Sequence, residues 1–220
     1  MALPIHIKKT KIVDQSPKFW TEEYLRLFIS HLSTDKLLAQ SVKNNLENYA
    51  ISGFVAHSDI EPTREWQYEI ELALNTCDSG LALLSVNFHE SKWTDQEIGI
   101  LIGQDKLIIP VKMGLDPYGF IGKYQAIVFS TEKKISNTIF EALVKNEKTK
   151  KKMAFALMKM FEESNSYAEA KVNFKLIQKI EFWDDILLER LEKSPKGNSQ
   201  IRDSFGLQGS IDHLVSKLNR

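Results

Sequence analysis

Trp93 and Glu97 are the residues whose types and spacing best suit chemistry. They lie four positions apart in the segment Trp93-Thr94-Asp95-Gln96-Glu97, so at the start of a helix they share one face. A carboxylate beside an aromatic ring can hydrogen-bond sugar hydroxyls and stabilise the positive charge that develops when a glycosidic bond breaks. The same spacing also arises by chance, and a tryptophan ahead of a helix is usually a core residue. The pair alone therefore leaves a catalytic and a structural role open.

The segments that must position this pair alternate between short apolar runs and helical patterns. The apolar runs predict these strands: Leu25–Ser30, Gly53–His57, Gly80–Ser85, Leu107–Val111 and Ala126–Phe129. Such alternation predicts parallel βαβ units with a central sheet between helical layers. In such sheets the working site lies at the carboxyl ends of the strands. We therefore expect Ser30-His31, residues 57–62 and residues 85–93 to share one rim.

Apolar residues at intervals of three and four predict the helices between these strands. Ser33 or Thr34 is expected to cap the first helix, and Thr63 the second. The second helix carries Trp66 and Cys77 on its apolar face, where we expect both to be core residues. The later helices are predicted over Thr94–Gly103 and Ile135–Val144.

After Val144 the strand pattern ends and a lysine-rich stretch begins. Helical spacing continues from Met153, the segment Ser194-Pro195-Lys196-Gly197-Asn198 is expected to break the chain, and a final helix is predicted over Ser210–Leu218. We therefore divide the chain into an N-terminal lead-in (1–21, with a short edge strand at Ile5–Ile7), an α/β domain (22–145) and a helical C-terminal region (146–220).

Several function classes lack their sequence signals. Acidic and basic residues both number 29, which argues against a nucleic-acid binder. There is no Gly-x-Gly-x-x-Gly or phosphate-binding loop after a strand, no acidic cluster ending the first strand and no Gly-x-Ser-x-Gly elbow. His31 and His57 both end strands, but no third metal ligand stands at a recognisable spacing, so we expect no metal. No signal peptide or membrane-spanning run is evident, and we expect a cytoplasmic protein.

Several motifs together resemble the TIR (Toll/interleukin-1 receptor) family in order and spacing, over about residues 22–145. The segments that carry the resemblance are Leu27–His31, Phe54–Ile60, Ala82–Ser85, Trp93–Glu97, Leu107–Val111 and Asp116–Phe120. They look most like the bacterial branch, including TIR proteins of antiphage defence systems such as Thoeris. The resemblance implies a flavodoxin-like fold with a five-stranded parallel sheet.

In its enzymatic branch the resemblance implies cleavage of NAD+ at the nicotinamide–ribose bond, with Glu97 as catalytic residue. NAD+ would be the substrate and no cofactor is expected. Because nicotinamide leaves a pyridinium as a neutral molecule, one carboxylate suffices. The side chains expected to contact the substrate follow the strand ends: Ser30, His31, Asp35, His57, Asp59, Ser85 and Trp93.

The resemblance also implies self-association. In defence systems it implies either a nucleotide messenger read by a separate effector or outright depletion of NAD+. The product could be ADP-ribose, a cyclic ADP-ribose isomer or another ADP-ribosyl conjugate. One departure concerns the loop after the second strand, Asp59-Ile60-Glu61-Pro62-Thr63, where many relatives carry glycine after the proline. Two alternatives stay open. The domain could be a non-catalytic interaction module, or a secreted mimic of host adaptors, although no export signal is visible.

Overall fold

The computed structural model describes residues 17–56 and 66–219, and these form a parallel sheet flanked by helices. The strands are β1 (Leu25–Ser30), β2 (Ile51–Phe54), β3 (Ser79–Ser85), β4 (Leu107–Met113) and β5 (Ile127–Val128). Their order in the sheet is β2-β1-β3-β4-β5, and every neighbouring pair is parallel. The predicted five-stranded parallel sheet is therefore confirmed. The second strand begins two residues earlier than predicted and ends at Phe54.

The helices of the α/β part are α1 (Lys36–Leu46), α2 (Trp66–Thr76), α3 (Thr94–Gly103) and α4 (Glu132–Lys145). The chain then continues through α5 (Lys150–Glu162), α6 (Tyr167–Ile177), α7 (Asp185–Gly197), α8 (Ser199–Arg202) and α9 (Leu207–Leu218). The predicted helical C-terminal region is thus confirmed.

Hydrophobic side chains form one core on each face of the sheet. Alternate residues of β1 point to opposite faces, as the period of a strand requires: Leu27 joins the core under α1 and α4, and Phe28 joins the core under α2 and α3. The first of these cores continues without interruption into α5, α6, α7 and α9. Buried side chains therefore link the C-terminal helices to the sheet.

One local prediction about the helix ends was wrong and another was right. Ser33 and Thr34 do not cap α1; they belong to a 3-10 turn, and Asp35 stands at the N-cap without a side-chain hydrogen bond to the helix. The predicted break in the segment from Ser194 to Asn198 is confirmed, because α7 ends at Gly197 and Asn198 caps α8. Pro195 itself lies inside α7. Proline cannot donate to the carbonyl four residues before it. The Ser194 hydroxyl donates to that carbonyl, Leu191 O, at 2.8 Å instead.

The segment before β1 packs against the second core. Trp20, assigned to the lead-in by sequence, is buried, and its indole N–H donates to Thr76 Oγ1 at 2.9 Å. Its ring also packs against Phe54. The predicted edge strand Ile5–Ile7 and the Thr63 cap lie outside the described residues.

Candidate active site

The carboxyl ends of β1 and β3 and the start of α3 meet at one edge of the sheet, as expected for parallel strands. β1 ends at Ser30, and the chain turns there through His31 into the 3-10 turn Ser33–Asp35. β3 ends at Ser85 and leads through a loop to α3. This brings Ser30 and Glu97, which are 67 residues apart in sequence, into contact.

Glu97 is a buried carboxyl with one defined partner. Its side chain is 6% exposed, and the Ser30 hydroxyl, itself 1% exposed, donates to Glu97 Oε2 at 2.6 Å. Burial raises the pKa of Glu97 from 4.5 to about 7, while the Ser30 hydrogen bond acts in the opposite direction. Removal from water penalises the charged form, and a hydrogen bond to the carboxylate favours it. Near neutral pH this group therefore exists in both protonation states.

The inward direction of Glu97 follows from the buried face of α3. Thr94, Glu97, Ile98 and Leu101 are buried, at the three- and four-residue spacing of one helical face. The Thr94 hydroxyl donates to Phe88 O at 2.7 Å and so ties the start of the helix to the preceding loop. The helix is thereby fixed with its first turn over the end of β1.

A cavity of about 630 Å³ opens above this carboxyl. That volume lies in the range of small-molecule binding sites. The lining residues come from the strand ends, α2, α3 and the two loops: Ile29, His31, Leu32, Ser33, Thr34, Ala56, Trp66, Ile70, Asn87, Glu90, Ser91, Trp93 and Glu97. The cavity therefore combines apolar walls with a few hydroxyl, amide and carboxyl groups.

Two tryptophans stand at this cavity. Trp66, the first residue of α2, is 45% exposed, and Trp93, just before α3, is 40% exposed. Their rings meet edge to face, with centroids 4.7 Å apart and planes at 76°. The prediction that Trp66 is a core residue was wrong. The helical periodicity was right, but the first turn of α2 extends beyond the apolar core.

The structure brings together some of the predicted site residues. His31, Trp93 and Glu97 line the cavity, and Ser30 reaches it through Glu97. His31 Nδ1 lies 2.9 Å from Ile29 O, which fixes the ring close to its own strand. Asp35 and Ser85 are not among the residues that line the cavity.

Two of the predicted site residues are not described by the structure, and several cavity residues were not predicted. His57 and Asp59 lie outside the described residues. Sequence reasoning missed Trp66 at the cavity. It placed residues 85–93 at the rim but did not name Asn87, Glu90 or Ser91 as site residues. Their shared signal was available, since each stands in a loop or first helical turn that follows a strand of the predicted rim.

Asp95 faces away from this cavity. It accepts a hydrogen bond from the Tyr118 hydroxyl, whose pKa is raised by burial and by the neighbouring Asp95 carboxylate. Tyr118 lies in the loop after β4, which also carries Phe120, 80% exposed. The first turn of α3 thus presents one carboxylate to the cavity and another to the adjacent loop.

The described residues contain neither a cluster suited to a metal ion nor a helix suited to a membrane. No group of three or more His, Cys, Asp or Glu side chains within 17–56 and 66–219 is arranged to hold a metal ion. Over the same ranges, no helix is both long and apolar enough to cross a membrane. Cys77 is buried, in agreement with its predicted place in the core.

Comparison with known proteins shows which family this chain belongs to. No curated protein matches the sequence. Among solved structures, the chain is similar to the crystal structure of the TIR domain of the Toll-related receptor TRR-2 from Hydra magnipapillata, with 18% identity and a TM-score of 0.43, over 53% of this chain and 91% of that one. The family model described as TIR domain matches residues 27–144, more than half of the 220 residues. The chain therefore belongs to the TIR domain family.

Proposed function

We propose that this protein cleaves NAD+ at the nicotinamide–ribose bond, with Glu97 as the catalytic residue. The observation that carries the proposal is a buried carboxyl in a ligand-sized cavity, positioned by the Ser30 hydroxyl at 2.6 Å and flanked by Trp93. A carboxylate in this position can accept hydrogen bonds from the ribose hydroxyls. It can also stabilise the oxocarbenium-like charge of the transition state.

The charge of the substrate suits the site. Burial makes ionisation of Glu97 unfavourable, because the carboxylate loses its hydration. The pyridinium ring of NAD+ carries a positive charge, and a nearby opposite charge lowers the pKa of a carboxyl. Substrate binding would therefore favour the ionised form of Glu97 that the reaction needs.

The bond changes require no general acid from the protein. The C–N bond between ribose and nicotinamide breaks, and its electron pair returns to the ring, so that neutral nicotinamide leaves. Water then adds to the ribose carbon and loses a proton, which gives ADP-ribose. Attack by a nitrogen of the substrate's own adenine would instead give a cyclic isomer.

We place this activity, by the sequence resemblance, in antiphage defence signalling with a separate effector that responds to the product. His31 and Trp93, which line the cavity, are proposed substrate contacts. For Asp35, His57, Asp59 and Ser85 the proposed contact rests on the resemblance alone.

A non-catalytic interaction module is the second candidate, and one observation favours it. Phe120 is 80% exposed beside a smaller cavity of about 250 Å³ between α3 and the loop after β4. An exposed apolar side chain of this size suits contact with another protein. Self-association through such a surface is compatible with catalysis, so only an activity measurement separates the two candidates.

The test is release of nicotinamide from NAD+ by the full chain, followed by chromatography with mass identification of the other product. We expect nicotinamide together with either ADP-ribose or a cyclic ADP-ribose, which contains one water fewer than ADP-ribose. The assay is run over a series of protein concentrations because assembly could be required. Absence of nicotinamide across the whole series, with the chain folded by circular dichroism, would leave the interaction module as the function.

A further inference from the structure

The exposed face of Trp66 has no role in the reaction described above. Trp66 belongs to α2 and Trp93 precedes α3, so the pair brings two separate helices together at the cavity. Burying an aromatic ring stabilises it relative to water, so a ligand that covers these two half-exposed indoles would gain that stabilisation. Both rings also line the cavity that contains Glu97.

The edge-to-face arrangement has a consequence for ligands. In such a pair one ring turns its edge to the face of the other, at 76° here, so the two indoles form a corner rather than a flat stack. A planar ring that enters the corner can stack on one indole and meet the other at its edge. Both contacts are favourable geometries for aromatic groups.

The charge of the entering ring matters as well. Indole offers the strongest attraction to a cation among aromatic side chains. A pyridinium ring is both planar and positively charged, whereas free nicotinamide is planar and neutral. A corner of two indoles should therefore hold the charged ring more tightly than the neutral one.

We propose that Trp66 is a substrate-binding residue that forms, with Trp93, an aromatic corner for the pyridinium ring of the substrate. This rests on the proposed function, because it assigns the ring of NAD+ to that corner. Trp66 is then a specificity residue that distinguishes the substrate from its products. Cleavage removes the positive charge, which weakens the contact and favours release of nicotinamide.

The experiment measures equilibrium binding by calorimetry in the Glu97→Gln background, where the proposed reaction is blocked. The probes are NAD+, ADP-ribose, 1-methylnicotinamide and nicotinamide. Trp66 is changed to Phe, which keeps an aromatic face, and to Leu, which keeps apolar bulk without one. Trp183→Phe, in the C-terminal region, is the distant control, and circular dichroism checks the fold of each variant.

We expect Trp66→Leu to weaken binding of NAD+ and 1-methylnicotinamide by about 3- to 10-fold, in line with aromatic and cation–π contacts of about 0.5–1.5 kcal/mol. Trp66→Phe should recover most of that loss. Binding of ADP-ribose, which lacks the ring, should stay unchanged, and the preference for 1-methylnicotinamide over nicotinamide should shrink.

Two outcomes would overturn the assignment. Equal losses for NAD+ and ADP-ribose would mean that Trp66 only packs against α3 or contacts another part of the ligand. Unchanged binding in both Trp66 variants would mean that the corner is not a ring site. Failure of the proposed function gives a different result. If ligands bind with the expected pattern but the wild type releases no nicotinamide, Trp66 is still a ring-binding residue and the proposed catalysis is wrong.

Discussion

The polar side chains at the rim of the sheet and those in the C-terminal helices differ in how fully they are hydrogen-bonded. In the C-terminal region, Ser166, Asp184 and Asn198 each accept a hydrogen bond at the start of α6, α7 and α8. The buried amide of Asn173 donates to both Met160 O and Ser164 Oγ. These groups satisfy helix ends and buried acceptors, which is the usual requirement for a stable fold.

At the rim, several polar groups are arranged less favourably. Glu97 is buried with a single hydroxyl donor, and among the described residues Asp35 Oδ2 and Ser85 Oγ are buried without a hydrogen-bond partner. Each such group costs stability. Ser204 Oγ, in the C-terminal region, is also buried without a hydrogen-bond partner, so the contrast rests on Glu97, a buried carboxyl for which the described C-terminal helices have no counterpart. On the proposed function, this carboxyl serves ligand binding rather than stability. We therefore expect substitutions of these groups to lower stability in the C-terminal helices and to raise it at Glu97.

The largest effect on stability is expected in the core of the C-terminal helices. Leu157 is fully buried in the core that α5 shares with the sheet. Leu157→Ala should lower the free energy of unfolding by about 2–5 kcal/mol, the usual cost of such a cavity. Urea unfolding should show one transition that shifts as a whole. Two transitions, of which only one moves, would show that the predicted division near residue 145 separates independent units.

At Glu97 we expect a substitution to raise the free energy of unfolding rather than lower it. Its folded pKa of about 7 exceeds the reference value of 4.5, so between these values the folded state holds the proton more tightly than the unfolded state, and stability falls as pH rises. Glu97→Gln removes this loss and should stabilise the protein by up to about 3 kcal/mol above pH 7, with little gain below pH 4.5. Thermal unfolding over this pH range checks it.

The matched control is Asp95→Asn, the same chemical change two residues earlier on α3, where the side chain faces Tyr118. It should not reproduce the pH-dependent gain. An equal gain in both variants would mean that loss of any negative charge in this turn stabilises the protein. The gain in Glu97→Gln would then not come from the burial of Glu97, and the proposed difference between the two regions would be wrong.

A smaller loss is expected at a helix cap. Asp184 accepts a hydrogen bond from Leu187 N at 3.0 Å at the start of α7. Asp184→Ala should lower the free energy of unfolding by about 1 kcal/mol. Nicotinamide release by the folded variant should stay unchanged. A stable Asp184→Ala protein with lost activity would contradict the assignment of this region to stability.

The smallest effect concerns the Ser30 hydroxyl. Its hydrogen bond holds the pKa of Glu97 below the value that burial alone would give. Ser30→Ala should move the acid limb of the pH profile of kcat/KM to higher pH, because ionised Glu97 is the active form. If the maximal rate of Ser30→Ala falls while the acid limb of its pH profile stays in place, Ser30 contacts the substrate, as the sequence predicted. It then does not act through Glu97.

Local sequence patterns were sufficient for most of the fold. The apolar runs of β1, β3 and β4 stand out because strands covered on both faces are almost wholly hydrophobic. Periodicity located α3 at its observed bounds, Thr94–Gly103. The predicted break falls at Asn198 rather than at Pro195, because the hydroxyl of the preceding Ser194 replaces the hydrogen bond that the proline cannot make.

The site was harder to predict because its contacts are distant in sequence. The hydrogen bond between Ser30 and Glu97 joins residues on different elements, and only the packing of α3 across β1 brings them together. Periodicity assigned Trp66 to a buried face, yet the cavity leaves its ring 45% exposed. Sequence thus identified the carboxyl and its rim, while the partner that tunes it and the second indole required the structure.

The central claim is that the Glu97 carboxylate breaks the nicotinamide–ribose bond. The most direct measurement is the rate of nicotinamide release from NAD+ at pH 8 by wild type, Glu97→Gln and Asp95→Asn at matched protein concentration. We expect Glu97→Gln to lose at least about 100-fold in rate, the scale for removing a preorganised electrostatic group, while Asp95→Asn stays close to wild type. A Glu97→Gln protein that retains the wild-type rate would contradict the account.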